Sequence, residues 1–118
     1  MPNKLASKIN PDILTPVAEY FKVLSEVSRL QILSCLKEKE MNVTELGEAT
    51  GLGQANLSKH LKVLTQAGIL SRQPQGVSAY YSVNDPMIFE LCDVVCQRIS
   101  ERMQQQAEHF EQLKLFSQ

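Results

Sequence analysis

Residues 51–81 carry Lys59, Lys62 and Arg72 and not one Asp or Glu, although the whole chain has a formal net charge of −1. The first part of this stretch, GLGQANLSKHLKVLTQAGIL, repeats its leucines at helical spacing. At 100° per residue, Leu57, Leu61 and Leu64 fall within about 60° of one another. Ala55, Lys59, Lys62 and Gln66 cluster within about 60° on the opposite side. One face is built to anchor, and the other is cationic, hydrogen-bonding and slim. The second part, SRQPQGVSAYY, reads as strands over residues 69–73 and 77–83, with Pro74-Gln75-Gly76 supplying turn chemistry at the tip. An anchored helix with a cationic outward face, followed by a basic hairpin, is the pattern of a helix that reads double-stranded DNA.

A chain of 118 residues has room for one core, and so predicts a single domain over residues 11–118 behind a loose terminus at 1–10. Its hydrophobic content of 43% and charged content of 21% are those of an ordinary globular protein. No apolar run approaches the roughly 20 residues of a membrane span. The opening MPNKLASKINPDIL lacks the apolar core of a secretory signal, so a cytoplasmic location with no membrane partner is expected. Three cysteines without a secretion signal argue against a disulfide framework. Residues 51–83 hold only positive charge, whereas 85–111 hold Asp85, Glu90, Asp93, Glu101, Glu108 and Glu111. A local basic surface on a nearly neutral protein suits specific binding to DNA.

Read in order, Asn10-Pro11-Asp12 supplies an N-cap, a first-turn Pro and an acid for a first helix carrying Ile13, Val17, Phe21 and Leu24. Pro16 should kink that helix or split off its first turn, with Thr15 capping the restart. A second helix is expected over residues 27–39, with Leu30, Leu33 and Leu36 as its apolar side. An extended link at 41–43 leads to a short third helix over 44–50, with Glu45 and Glu48 suited to its N-terminal half. The glycines of Gly51-Leu52-Gly53 permit a sharp turn into the fourth helix, which makes a helix-turn-helix. Gly68 is placed to end the fourth helix. After the hairpin, Asp85-Pro86 starts a last helix over residues 87–115. The predicted class is mainly α: five helices and a two-stranded wing.

The last helix is long for so small a protein. Ile88, Cys92, Val95, Ile99, Met103, Phe110 and Leu113 lie on one stripe, within roughly 60° of Ile88. The simplest cover for it is a second copy. Segments 11–25 and 86–115 are therefore the expected dimerisation helices, with Val17, Phe21, Ile88, Val95, Ile99 and Met103 at a two-fold interface.

This arrangement resembles the ArsR/SmtB family of bacterial winged-helix repressors. The matching residues are Arg29-Leu30-Gln31-Ile32-Leu33, Val43-Thr44-Glu45-Leu46, the run Leu57-Ser58-Lys59-His60-Leu61-Lys62-Val63-Leu64, Ala67-Gly68-Ile69-Leu70, and Arg72, Gly76, Tyr80 and Tyr81. They span about residues 17–100 in unbroken spacing. The resemblance implies a homodimeric repressor that leaves its operator when an inducer, often a metal ion, binds. Val27-Ser28 stands where many members have His-Pro. The family's best-known effector sites are missing. Glu45-Leu46 is followed by Gly47-Glu48-Ala49, not by the Cys-x-Cys of arsenic and lead sensors. Asp93 is followed two on by Val95 and His109 three on by Gln112, so the zinc ligand pattern is absent as well.

In the fourth helix Gln54, Ser58 and Lys59 are expected to reach base edges and Lys62 phosphate, with Ala55 and Asn56 also in the DNA-binding set; the plain alternative is a solvated helix surface. Arg72 and Gln75 are read as backbone or minor-groove contacts, against a merely exposed turn. His60 projects toward the leucines and is expected to be half-buried and hydrogen-bonded rather than a ligand. Tyr80 and Tyr81 read as wing core. Cys92 and Cys96 lie on one face of the last helix with Cβ atoms roughly 6 Å apart, beyond the roughly 3.5–4.5 Å of a disulfide. Three readings stay open for the pair: small buried hydrophobes, ligands for a thiophilic metal ion or trivalent metalloid, or redox-sensing thiols. Cys35 is either incidental or the third thiol. Two further classes compete with a DNA-binding repressor. A protein-interaction module would show acids or bulky apolar groups on the outward side of the fourth helix, which Lys59, Lys62 and Gln66 are not. A thiol enzyme would need a base beside its cysteine, and neither Cys92 nor Cys96 has a His within a turn.

Overall fold

The computed structural model describes residues 8–117; the expectation for the terminus at 1–10 falls mostly outside them. Five helices and a small antiparallel sheet follow one another: α1 (Pro11–Val23), α2 (Val27–Glu38), β1 (Met41–Asn42), α3 (Val43–Thr50), α4 (Gln54–Gln66), β2 (Leu70–Gln75), β3 (Ser78–Val83) and α5 (Met87–Ser117). They fall into two compact units that divide between Asp85 and Pro86.

In the first unit, α1 starts as its sequence dictates. Asn10 Oδ1 accepts the Asp12 N–H at 3.0 Å, and Pro11 occupies the first turn. The expected break at Pro16, and with it a fresh cap at Thr15, does not occur, and the helix runs through. Pro16 withholds an N–H from the Asp12 carbonyl four residues back. That carbonyl lies in an exposed first turn, where water can take the missing place. No residue of α1 is buried.

The buried face of α2 consists of Arg29, Ile32, Leu33 and Leu36. Leu30, expected on that face, is 42% exposed. Counting Arg29 as zero, Ile32, Leu33 and Leu36 lie within about 60° of it and Leu30 about 100° away. The helix is centred on its arginine, one step round from the leucine stripe. α2 packs on α3, α4 and β3.

α3 begins one residue earlier than expected because Asn42 caps it. Asn42 Oδ1 accepts the Glu45 N–H at 2.8 Å, and the Glu45 carboxylate accepts the Asn42 N–H at 3.1 Å. This reciprocal box satisfies two end donors that helix geometry leaves open. In the turn to α4 Gly51 takes a left-handed φ of 75°, whereas Gly53 is extended. One glycine, not two, makes the turn. α4 closes with Ile69 N–H on the Leu64 carbonyl and Gly68 N–H on the Thr65 carbonyl, with Gly68 at φ 80°. This six-to-one and five-to-two pairing needs a left-handed residue after the cap, and buried Leu64 and Ile69 accompany it.

The sheet has three strands in the order β1-β3-β2, not two. Met41 pairs with Tyr81 and Asn42 with Tyr80, so the expected link at 41–43 is partly a strand. The hairpin tip also shifts outward. Gln75 pairs with Ser78, leaving a two-residue loop of Gly76 and Val77, and Pro74 lies inside β2 opposite Ala79. β2 is an edge strand, where an N–H that faces outward has no ladder partner to lose.

The core of this unit is Ile32, Leu33, Leu36, Leu46, Leu57, Leu61, Leu64, Ile69, Leu70 and Ala79. Leu57, Leu61 and Leu64 retain 1% exposure or less, and each contributes roughly 1.5–3 kcal/mol by leaving water.

The second unit is α5, whose 31 residues make a rod about 46 Å long. It runs two residues beyond the expected end, within the usual fraying of a terminus. Ile88, the first apolar residue of the stripe, is 2% exposed. Val95, Ile99, Met103, Phe110 and Leu113 are 50–65% exposed. No helix among the described residues is long and apolar enough to cross a membrane.

Candidate nucleic-acid interface

The same leucine spacing that sinks one side of α4 into the core leaves the other side in water. Gln54, Ala55, Asn56, Ser58, Lys59 and Lys62 are all exposed, as are Arg72 and Gln75 on the wing. The N-cap of α4 is Gly53, which has no side chain to close the first turn. The backbone N–H groups there are left to solvent or to an acceptor from outside. α3 differs, because its N-terminus is already occupied by the Asn42–Glu45 box.

Between the start of α4 and the wing lies a groove of about 530 Å³. It brings together three of the expected residues, Gln54, Ser58 and Arg72, with Thr44, Ser78 and Tyr81. Arg72 and Tyr81 are cross-strand partners and therefore point to the same side of the sheet. Thr44, Ser78 and Tyr81 were not among the expected contacts. Their signal was three hydroxyls on two segments, one on α3 and two on β3, which becomes legible only once the strand register is known. Ala55, Asn56, Lys59, Lys62 and Gln75 lie outside the groove, on the open surface.

Chemically, this surface offers a cation and hydroxyls in a concavity beside a helix face that bears two lysines. Such groups hold phosphate oxygens and reach base edges. His60 is 5% exposed, and its Nδ1 accepts a hydrogen bond from Arg29 Nε at 3.2 Å. It is a buried, bonded side chain and not a contact to DNA.

Cys92 and Cys96 lie one turn apart on α5, and Cys35 lies on α2. None of the three cysteines is in a disulfide; Cys96 is exposed, and Cys35 and Cys92 are half-buried. Among the described residues no three His, Cys, Asp or Glu side chains converge as a metal-ion site.

A helix-turn-helix followed by a β-hairpin wing defines a winged-helix DNA-binding protein. Residues 26–72 match the model of the bacterial regulatory proteins of the arsR family. The chain is 40% identical over 78 residues to the uncharacterized HTH-type transcriptional regulator Rv0081 of Mycobacterium tuberculosis, covering 65% of this chain and 68% of that one. It is 32% identical to the HTH-type transcriptional regulator NmtR of the same organism, covering 77% and 76%. The crystal structure of Rv0081 superposes with a TM-score of 0.74 at 32% identity, covering 80% of this chain and 96% of that one. The homodimeric winged helix-turn-helix domain Mb0332 of Mycobacterium bovis gives 0.68 at 28%, covering 86% and 93%. The chain belongs to the ArsR family of bacterial regulatory proteins. It is a transcriptional regulator of the ArsR/SmtB repressor type and not an enzyme.

Proposed function

We propose that the protein is a homodimeric repressor that sets one α4 in each of two successive major grooves of an operator and leaves it when an inducer binds. The observation that carries this is the division of α4: its leucines are sealed while Lys59 and Lys62 stand free, with Arg72 across a groove from its first turn. The second copy is supported by the uncovered stripe of Val95, Ile99 and Met103, by exposed Val17 and Phe21 on α1, and by the homodimeric state of Mb0332. A two-fold dimer calls for an inverted repeat with half-sites about 34–36 Å apart, or a multiple of that. Base contacts fall to Gln54, Ala55, Asn56, Ser58 and Lys59, phosphate contacts to Lys62, Arg72 and Gln75. The test is fluorescence anisotropy with duplexes selected from a random pool. Binding should favour an inverted repeat and fall steeply with salt, and a salt-insensitive or sequence-blind interaction would end the proposal.

For the inducer, Cys92 and Cys96 one turn apart on α5 are the proposed sensor, taking a thiophilic metal ion or a trivalent metalloid. Because no third ligand converges with them among the described residues, the remaining donor must come from the second copy or from Cys35 after rearrangement. Operator release by thiophilic metals, arsenite and peroxide, compared between the wild type and the Cys92→Ser/Cys96→Ser double variant, separates metal sensing from thiol oxidation. Release that persists in the double variant removes both.

A further inference from the structure

Among the described residues the buried polar or charged side chains are Arg29, 8% exposed, and His60, 5% exposed. They belong to different helices and meet directly, Arg29 Nε donating to His60 Nδ1 at 3.2 Å. Arg29 Nη1 donates to the carbonyl of Val23, the last residue of α1, at 3.1 Å. Glu26, the N-cap residue of α2, holds Oε2 3.6 Å from Arg29 Nε and 3.4 Å from His60 Nδ1. One guanidinium therefore ties the end of α1, the start of α2 and the middle of α4.

The chemistry of this contact is directional. A guanidinium only donates, so in its contact with Arg29 the Nδ1 of His60 accepts, while the Glu26 carboxylate 3.4 Å away competes for the same nitrogen. Hydrophobic residues of similar volume would fill the same space with no smaller stability. What they would not supply is a fixed angle. His60 follows Lys59 directly, one buried and one exposed. A roll of α4 that lifts His60 from Arg29 swings Lys59 by the same angle. At the roughly 5–6 Å radius of a helix with its side chains, a roll of about 20° displaces a surface atom by about 2 Å. That displacement is enough to lose a base-edge hydrogen bond.

We propose that Arg29 and His60 are positioning residues for operator recognition: the buried pair locks the roll of α4 to the C-terminal end of α1. The way two copies hold their first helices then sets where their two reading helices point. This inference rests on α4 being the DNA-reading helix and adds to it the device that aims that helix.

The test compares a selected inverted-repeat duplex with one that keeps a single half-site. His60→Leu removes the acceptor, His60→Asn places Oδ1 near the position of Nδ1, and Arg29→Lys keeps the charge but loses the second donor. Loss of one buried charge-assisted hydrogen bond should weaken the full repeat about tenfold or more for His60→Leu and Arg29→Lys. The half-site should suffer by about threefold or less, because one misaimed helix can re-register on its own and two constrained by a dimer cannot. His60→Asn should restore the full repeat to within about threefold of the wild type. Imidazole ¹⁵N shifts should show an unprotonated His60 Nδ1. Equal losses on both duplexes, no loss in folded variants, or a protonated Nδ1 overturns the inference. Should His60→Leu fail to fold, the half-exposed Glu26→Gln carries the comparison, with the same asymmetry at smaller size expected and symmetric loss overturning it. If the wild type does not select an inverted repeat, or Lys59→Ala binds unchanged, the reading of α4 falls and this inference falls with it. Failure of the His60 series alone removes only the aiming device.

Discussion

α4 and α5 are both amphipathic helices, and they solve the problem of their apolar side in opposite ways. In α4 the leucines at 57, 61 and 64 find cover within the chain, so what faces outward is polar, cationic and without a partner. In α5 the large apolar residues from Val95 onward are half or more open to water, and its ion pairs, Arg98–Glu101 and Lys114–Glu111, run along its own surface. The contrast separates two kinds of incompleteness. α4 lacks nothing for folding, and its exposed groups are those proposed to meet DNA. α5 lacks an apolar counterpart, which a second α5 of the same sequence can supply.

The largest effect that tests this contrast is on α4. Leu61→Ala should cost about 2–5 kcal/mol of unfolding free energy, read from urea midpoints at constant slope. A loss below about 1 kcal/mol would mean that α4 is not sealed as its burial indicates. Next comes Ile99→Asp on α5, which should convert dimers to monomers by sedimentation and weaken operator binding about thirtyfold or more, the size of an interface anchor. Retention of dimers there would separate the open stripe from the two-fold. Lys59→Ala should leave stability unchanged and weaken operator binding more than about tenfold, as loss of a base contact does. Lys62→Ala should instead lower the slope of log affinity against log salt by about 0.9 for each copy that loses a phosphate contact. The smallest effect sharpens the comparison at its scaffold. Asn42→Ala removes the cap of α3 and should cost about 1 kcal/mol in thermal unfolding, with operator affinity of the folded protein little changed.

How far the sequence discloses this molecule depends on whether a feature is local. α4, its Gly68 stop and the hairpin are written in periodicity and turn chemistry, and the outward placing of Lys59 and Lys62 follows from angles alone, whereas Gln54 and Ser58 fall by angle on the flank of the leucine side. Features that need a distant partner stayed hidden. β1 is a strand only because Met41 and Asn42 pair with Tyr81 and Tyr80, some forty residues on, and nothing in two residues announces it. The buried face of α2 was misjudged at Leu30 because an arginine is the least expected centre for such a face. Arg29 is buried by what His60 and Val23 offer it. Ile88 shares the stripe of α5 by angle but not its exposure, since position along a helix, and not only phase, decides what is covered. The groove residues Thr44, Ser78 and Tyr81 were out of reach because α3 and β3, which carry them, are brought together only by the fold. Cys92 and Cys96 lie on one helix, but their chemistry depends on groups that spacing does not reveal.

The placement of Pro74 in the outer strand has a consequence for how the protein behaves in a crowded solution. A projecting ribbon with a bare margin invites another chain to add a strand along it, which would tie regulators together by their wings. β2 presents such a margin, and it carries a residue that cannot donate there, with Arg72 two positions before it. A cationic side chain and an imino ring along that border disfavour sheet growth while leaving the ribbon free to lie against nucleic acid. The wing can stay extended and accessible without becoming a seed for aggregation.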